Sequence, residues 1–262
     1  MRYGNLAADS NGVDDGRPAL VLLHGLTFDR RHWSPVLADL ALAGSNRRVV
    51  AFDLPGHGES PRRDSYGLTE LVDVLHEAIT EADLTAPVVA GHSLGGVLAT
   101  AYAARYPVNG VVNIDQPLRS GGFADFLRRS EPQLNSAGFL NVWKTLLDGM
   151  HIDELPPSAQ HLVRTATDPR QDLFLGYWRD LMHTPNDQSD ENTTRTLTAI
   201  HTARTPYHYI AGTPIAPTYR TWLETALPDV QITELLGSGH FPHLVHPAAV
   251  ARALAELPVP TH

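Results

Sequence analysis

The chain has 262 residues, a formal net charge of −9 at pH 7 and no cysteine. That length allows one large α/β domain or two small ones, with a substantial core; no linker-like Gly/Ser tract, internal repeat or charge block divides the chain, which favours one domain with an insertion. The acidic balance argues against nucleic-acid and anionic-membrane partners, which select Lys/Arg surfaces, and the lack of thiols removes disulfides, thiolate nucleophiles and thiolate metal sites. The N-terminal stretch lacks the basic and apolar regions of a secretory signal, and no apolar run approaches the roughly 18 residues of a membrane span, so a soluble cytoplasmic protein is expected.

Residues 1–18 are polar and turn-rich, with room for one or two short edge strands. Ala19 to Leu23 is a continuous apolar run of strand length, as expected of a strand buried on both faces of a parallel sheet. It ends at His24-Gly25-Leu26-Thr27. Arg31 to Leu42 has helical spacing, with Trp33, Val36, Leu37, Leu40 and Leu42 as its apolar members. Arg48 to Phe52 reads as the next strand and runs into Asp53-Leu54-Pro55-Gly56-His57-Gly58-Glu59-Ser60, a turn motif whose glycines supply turn dihedrals. Leu68 to Ala82 is an amphipathic helix with Leu71, Val72, Val74, Leu75 and Ile79 as core positions.

Val88 to Thr100 is the stretch around which the rest is arranged: an apolar strand, the turn Gly91-His92-Ser93-Leu94-Gly95-Gly96, then an Ala-rich helix. Gly110 to Ile114 is the following strand and delivers Asp115. From Leu118 to about Arg204 no strand-like run occurs. Helix-like segments rich in Leu, Phe and Trp appear instead at Phe123 to Arg129, Phe139 to Met150, Ser158 to Thr167 and Asp172 to Met182. Residues 118–204 are therefore expected to be a helical cap inserted into a core made of 1–117 and 205–262. His208 to Ala211 and Val230 to Leu235 resume the strand pattern, separated by a helix from Thr218 to Leu227. Gly237-Ser238-Gly239-His240-Phe241-Pro242 and a last helix from Pro247 to Leu257 close the chain. Alternating strands and helices of this kind imply parallel strands joined by right-handed crossovers.

A G-x-S-x-G spacing has a mechanical cause. A serine on a strained strand-to-helix turn needs neighbours without Cβ atoms, because two backbones pass close to it. On this motif, and on His24-Gly25, the DLPGHGES turn and G-x-G-H-F-P, the chain resembles the α/β-hydrolase family. The resemblance implies a mostly parallel sheet of seven or eight strands flanked by helices. It also implies Ser93 as nucleophile, His240 as base, and the backbone N–H groups of Leu26 and Leu94 as an oxyanion hole. The acid departs from the family's usual pattern. The residues after His208 to Ala211 are Gly212-Thr213-Pro214-Ile215-Ala216-Pro217-Thr218, with no carboxylate. Asp115, one strand earlier, takes the place that a minority of the family uses and keeps the order Ser, Asp, His. The alternative is that Asp115 caps the first cap helix. Glu224 and Asp229 are poorer candidates, lying in or after a helix that leads away from the sheet edge. His24 is expected to fix a loop, His92 to pack, and neither Asp53 nor His57 to take part in catalysis.

The resulting expectation is a serine hydrolase cleaving a carboxylic ester or lactone through an acyl-enzyme. Phe139, Trp143, Leu146, Leu147, Phe174, Tyr177 and Trp178 could roof an apolar pocket, although at helical spacing most are cap core. Trp143, Phe139, Trp178 and Phe241 are the candidate substrate contacts. Arg119, Arg128 and Arg129 could meet a substrate carboxylate, but solvated arginines are commoner. No His-x-x-x-His, EF-hand or carboxylate cluster suggests a metal, and no Gly-rich phosphate loop a nucleotide, so no cofactor is expected. The partner is a small-molecule substrate rather than nucleic acid or membrane, and a homodimer stays open. Carbon–carbon or amide hydrolysis, cofactor-free oxygenation and a non-catalytic ligand receptor are the rival readings on the same scaffold.

Overall fold

The structure, a computed structural model, describes residues 1–119 and 121–257. Ser120 and residues 258–262, which fall in the expected cap and core segments, lie outside the described residues. Eight strands form one sheet: β1 (Arg2–Tyr3), β2 (Leu6–Asn11), β3 (Leu20–Leu23), β4 (Val49–Phe52), β5 (Val88–His92), β6 (Gly110–Ile114), β7 (Tyr207–Ala211) and β8 (Gln231–Glu234), in the spatial order β1-β2-β4-β3-β5-β6-β7-β8. The first two pair antiparallel, β2 meets β4 antiparallel, and every later pairing is parallel.

The central strands are buried on both faces, which explains their unbroken apolar sequences. Leu20 and Leu22 face one side with Val49, Ala51, Val88, Ala90, Val112 and Ile114. That layer is covered by Trp33, Val36 and Leu40, of which the last two lie on α1 (Ser34–Leu42), and by Val250, Ala251 and Leu254 near the C-terminus. Val21 and Leu23 face the other side with Val50, Phe52, Val89 and Val111. There they meet Leu71, Val72, Leu75 and Ile79 of α2 (Leu68–Glu81) and Leu98 and Tyr102 of α3 (Leu94–Ala103). The alternation is the period-2 side-chain geometry of a strand sandwiched between two helical layers.

Among the described residues, six α-helices and a short 3-10 turn (Ile152–Glu154) lie between β6 and β7: α4 (Gly121–Leu134), α5 (Phe139–Gly149), α6 (Pro157–Thr165), α7 (Gln171–Tyr177), α8 (Arg179–His183) and α9 (Asn186–Thr202). The remainder are α10 (Pro217–Ala226), α11 (Pro242–Val245) and α12 (Pro247–Glu256). None of the helices among the described residues is long and apolar enough to cross a membrane.

The structure corrects several sequence expectations. Arg31 to Leu42 is not one helix: Arg30–Trp33 is a 3-10 turn capped by the Asp29 carboxylate, which accepts from Arg31 N–H at 2.9 Å, before α1 begins at Ser34-Pro35. Leu42, one of the apolar members of that segment, is 84% exposed at the last position of α1. Asp172 to Met182 breaks into α7 and α8 at Trp178. The 17-residue α9 was not expected at all. Its Asp, Asn and Thr residues are poor helix formers, and only Leu197 and Ile200 are buried along it.

Candidate active site

Ser93 stands between β5 and α3 with φ 51° and ψ −122°, a conformation sparsely populated by residues with a Cβ. Local packing imposes it. Ser93 N–H donates to the Ile114 carbonyl at 3.0 Å, and the Ser93 carbonyl accepts from Gly96 N–H at 2.7 Å. A Cβ at Gly91 would strike the Gly95 carbonyl, and one at Gly95 would strike the carbonyl of Leu23. The two glycines thus let β5, β3 and α3 converge on the serine, whose side chain meets the positive end of α3.

Asp115 follows β6 with φ 52° and is fixed from three directions. Its N–H donates to the Ile210 carbonyl at 2.7 Å, Gly212 N–H donates to Oδ1 at 2.9 Å, and His240 Nδ1 donates to Oδ2 at 2.8 Å. The strand end where the resemblance implies a carboxylate therefore supplies an N–H donor to a carboxylate on its neighbour. Asp115 caps no helix in this arrangement. His240 sits in the turn after β8, between Gly239 at φ 52° and buried Phe241. With Nδ1–H given to Asp115, its Nε2 carries a lone pair. Among the described residues, neither that nitrogen nor Ser93 Oγ makes a hydrogen bond.

The turn after β3 passes Ser93 closely: an added Cβ on Gly25 would lie 3.2 Å from Ser93 Cβ. Neither Leu26 N–H nor Leu94 N–H donates a hydrogen bond among the described residues, so both donors named by the sequence are free. Of the two histidines that hold this turn, the sequence points to His24 as a loop-fixing residue but not to His57. Thr27, at φ 69°, donates its N–H to His57 Nε2 at 3.1 Å, and His24 Nε2 accepts from Leu54 N–H at 2.9 Å. Burial lowers the pKa of both histidines, well below 6.5 for His57. Both rings are then neutral acceptors, fixing the turn after β3 against the DLPGHGES turn. Asp53 accepts Arg30 N–H and Glu59 N–H at 2.8 Å each and is ion-paired with Arg30.

A second network lies under Asp115. Asn113 Nδ2 donates to the Gln116 carbonyl at 3.0 Å and to the Tyr207 hydroxyl at 2.9 Å, and Thr100 Oγ1 lies 2.8 Å from that hydroxyl. One signal for it was present in the sequence: an asparagine inside the apolar run GVVNI.

The helices between β6 and β7 are tied to the two turns. Thr27 and Thr167 pair through their hydroxyls at 3.1 Å, Asp168 N–H donates to the Thr27 carbonyl at 2.8 Å, and the Tyr177 hydroxyl donates to the Pro55 carbonyl at 2.8 Å. Their aromatic side chains run inward to the site. Phe241 lies 5.8 Å from Phe28, which lies 6.0 Å from Trp143. Trp143 in turn packs on Phe174, the residue shared by Phe139 and Trp178. Phe241 also lies 5.4 Å from the His240 ring, whereas Phe139 and Trp178 join this cluster through Phe174. Arg119 pairs with Asp190 and Arg128 with Asp125, so neither is a free cation. A cavity of about 540 Å³, lined by His201, Tyr207, Gln231 and Leu257 among others, opens at the opposite end of β7 and β8, away from Ser93.

A family model described as "Alpha/beta hydrolase family" matches residues 20–253, and the chain belongs to that family. Among curated relatives, the dihydrolipoyllysine-residue acetyltransferase component of the acetoin cleaving system of Pseudomonas putida is 38% identical over 100 residues, 37% of this chain and 25% of that protein. The chain thus spans about a quarter of that relative's length. A thermophilic esterase from Thermogutta terrifontis superposes with a TM-score of 0.75 at 19% identity, covering 98% of this chain and 96% of its own. A variant of AqdC in complex with its substrate, studied for recognition and ring-cleavage of the Pseudomonas quinolone signal, superposes at 0.79 with 19% identity, covering 95% and 94%. At such identity these likenesses show the fold; with the family match they support an enzyme of the hydrolase class.

Proposed function

We propose that the protein is a serine hydrolase that cleaves a carboxylic ester or lactone of small to medium, partly apolar character through an acyl-enzyme. The observation that carries this reading is the 2.8 Å hydrogen bond joining His240 Nδ1 to Asp115 Oδ2. It fixes the imidazole in the tautomer that a base for serine requires. In the proposed cycle His240 Nε2 takes the Ser93 proton as Oγ attacks the acyl carbon. The oxyanion falls to the N–H groups of Leu26 and Leu94. His240 then protonates the leaving oxygen, and a water deprotonated by the same nitrogen releases the acid. Residues 118–204 act as the cap, with Phe241 and Trp143 contacting substrate ahead of Phe139 and Trp178. Release of p-nitrophenol from short and medium acyl esters tests this. Ser93→Ala, folded as judged by circular dichroism, is expected to lose on the order of 10³-fold or more in kcat/KM. Hydrolysis at the wild-type rate in that variant would overturn the reading.

A second reading, cofactor-free oxygenation with His240 as base and Ser93 only positioning the substrate, draws on the absence of a Ser93–His240 hydrogen bond. Such bonds often form only once substrate is bound, so the acyl-enzyme reading stands first. Substrate-dependent oxygen uptake that survives in Ser93→Ala would favour the second.

A further inference from the structure

Three histidines from separate segments meet beside the elbow: His32 in the 3-10 turn before α1, His92 at the end of β5 and His243 in α11. All three are fully buried, and one nitrogen from each lies within 4.8 Å of the others. Five of their six ring nitrogens have no hydrogen-bond partner: both of His32, both of His243, and Nδ1 of His92. Buried polar atoms are seldom left unpaired, and each exception needs an explanation. The acyl-transfer cycle uses none of these nitrogens.

The surroundings favour neutral imidazoles with exposed lone pairs. Phe28 stacks on His32 at 4.2 Å, Trp33 lies 5.1 Å from His243, and Phe241 lies 5.5 Å from His92. Burial in this aromatic shell pushes His32 down to about 3 and the other two well below 6.5. His92 donates Nε2–H to the His240 carbonyl at 2.7 Å, which leaves Nδ1 as a lone pair without a partner. An outer N–H anchored on a backbone carbonyl is the usual setting of a metal-bound histidine.

We propose that His32, His92 and His243 bind one first-row transition-metal ion of the imidazole-preferring class, such as Zn²⁺ or Co²⁺, in a closed structural site. All-imidazole ligation suits these ions, whereas Mg²⁺ and Ca²⁺ need oxygen ligands. Metal–nitrogen bonds of about 2.0–2.1 Å place tetrahedral ligand atoms about 3.3 Å apart, so the rings need close by no more than about 1.5 Å. The Trp33 indole N–H is also buried without a partner, its ring 5.1 Å from that of His243, and a water would take the fourth position. The ion would staple together the segment behind the oxyanion turn, the strand end that carries Ser93, and the stretch that follows His240. Scanning for local ligand motifs could not find it, because the three residues are far apart in sequence.

The site is sealed, so the test loads it during folding. The full chain is unfolded in chelator and refolded with Zn²⁺, with Co²⁺ or with chelator alone. Metal content, the visible absorption of Co²⁺ and Tm are then read. We expect about one ion per chain, the intense bands of tetrahedral Co²⁺, and a Tm several degrees above that of the chelator-refolded protein. His243→Leu, which fills the same space with an apolar side chain, is expected to hold no metal and to melt at one temperature under all three conditions. If that variant does not fold, His32→Leu takes its place, and the Co²⁺ spectrum of the wild type decides on its own. Two results overturn the proposal: a wild-type chain that refolds metal-free with an unchanged Tm, its cluster then being hydrated, or a leucine variant that keeps the ion and the shift.

Discussion

Asp115 is the residue on which the reading of this chain turns. An isolated carboxylate at the end of β6 could have served any number of local purposes, but the N–H of Gly212 and the ring of His240 converge on its two oxygens. Asp115→Asn keeps the shape while removing the charge and disturbing the imidazole tautomer, so kcat for ester hydrolysis should fall by about 10³- to 10⁴-fold with the fold intact. His57 acts at one remove. Its Nε2 holds Thr27 N–H, and through it the turn that, in the proposed cycle, would aim Leu26 N–H at the developing oxyanion. His57→Phe should lower kcat by about 10- to 100-fold with KM little changed, since the oxyanion donors act chiefly in the transition state. A matched rise in KM with constant kcat would mean that the turn serves substrate binding instead.

Among the elements, legibility followed burial. The strands buried on both faces, β3 to β6, were readable to within a residue from their apolar runs, and Gly110–Ile114 to the residue. The elbow was readable because the backbone convergence at Gly91 and Gly95 leaves a local imprint of glycine. What the sequence hid were features made by partners distant in the chain. α9 is polar because it presents little more than Leu197 and Ile200 to the interior. His57 and His92 earned their hydrogen bonds only when distant loops met. The Asn113–Tyr207–Thr100 network spans β6, β7 and α3 beneath the turn that carries Asp115. Tyr207→Phe strands Asn113 Nδ2 from one acceptor and should cost about 1–3 kcal/mol in urea denaturation. It should also lower kcat, because the Asp115 turn loses its support; an unchanged kcat would detach the network from the site.

For the molecule as a whole, the buried histidines set how it responds to acid. His24, His32, His57, His92, His208 and His243 all have pKa values lowered by burial, His208 to about 4. The unfolded chain takes up these protons near pH 6.5, whereas the folded chain refuses them until well below that. Their contribution is therefore intact above about pH 6.5 and is lost as the pH falls toward the folded values. A group still neutral in the folded chain throughout that window costs about 1.4 kcal/mol per pH unit there, so several such groups acting together make acid a strong destabiliser of the fold. Urea midpoints measured in chelator should drop steeply between pH 6.5 and 5, and a flat profile over that range would contradict the neutral assignment of the rings. The most direct test of the central claim, a serine activated by an Asp115-supported histidine, is intact-mass spectrometry after reaction with a fluorophosphonate. The account predicts one phosphonyl adduct per chain, on Ser93, forming about 10³-fold or more slowly in Asp115→Asn. An adduct elsewhere, or labelling of Ser93 at the same rate in both proteins, would contradict it.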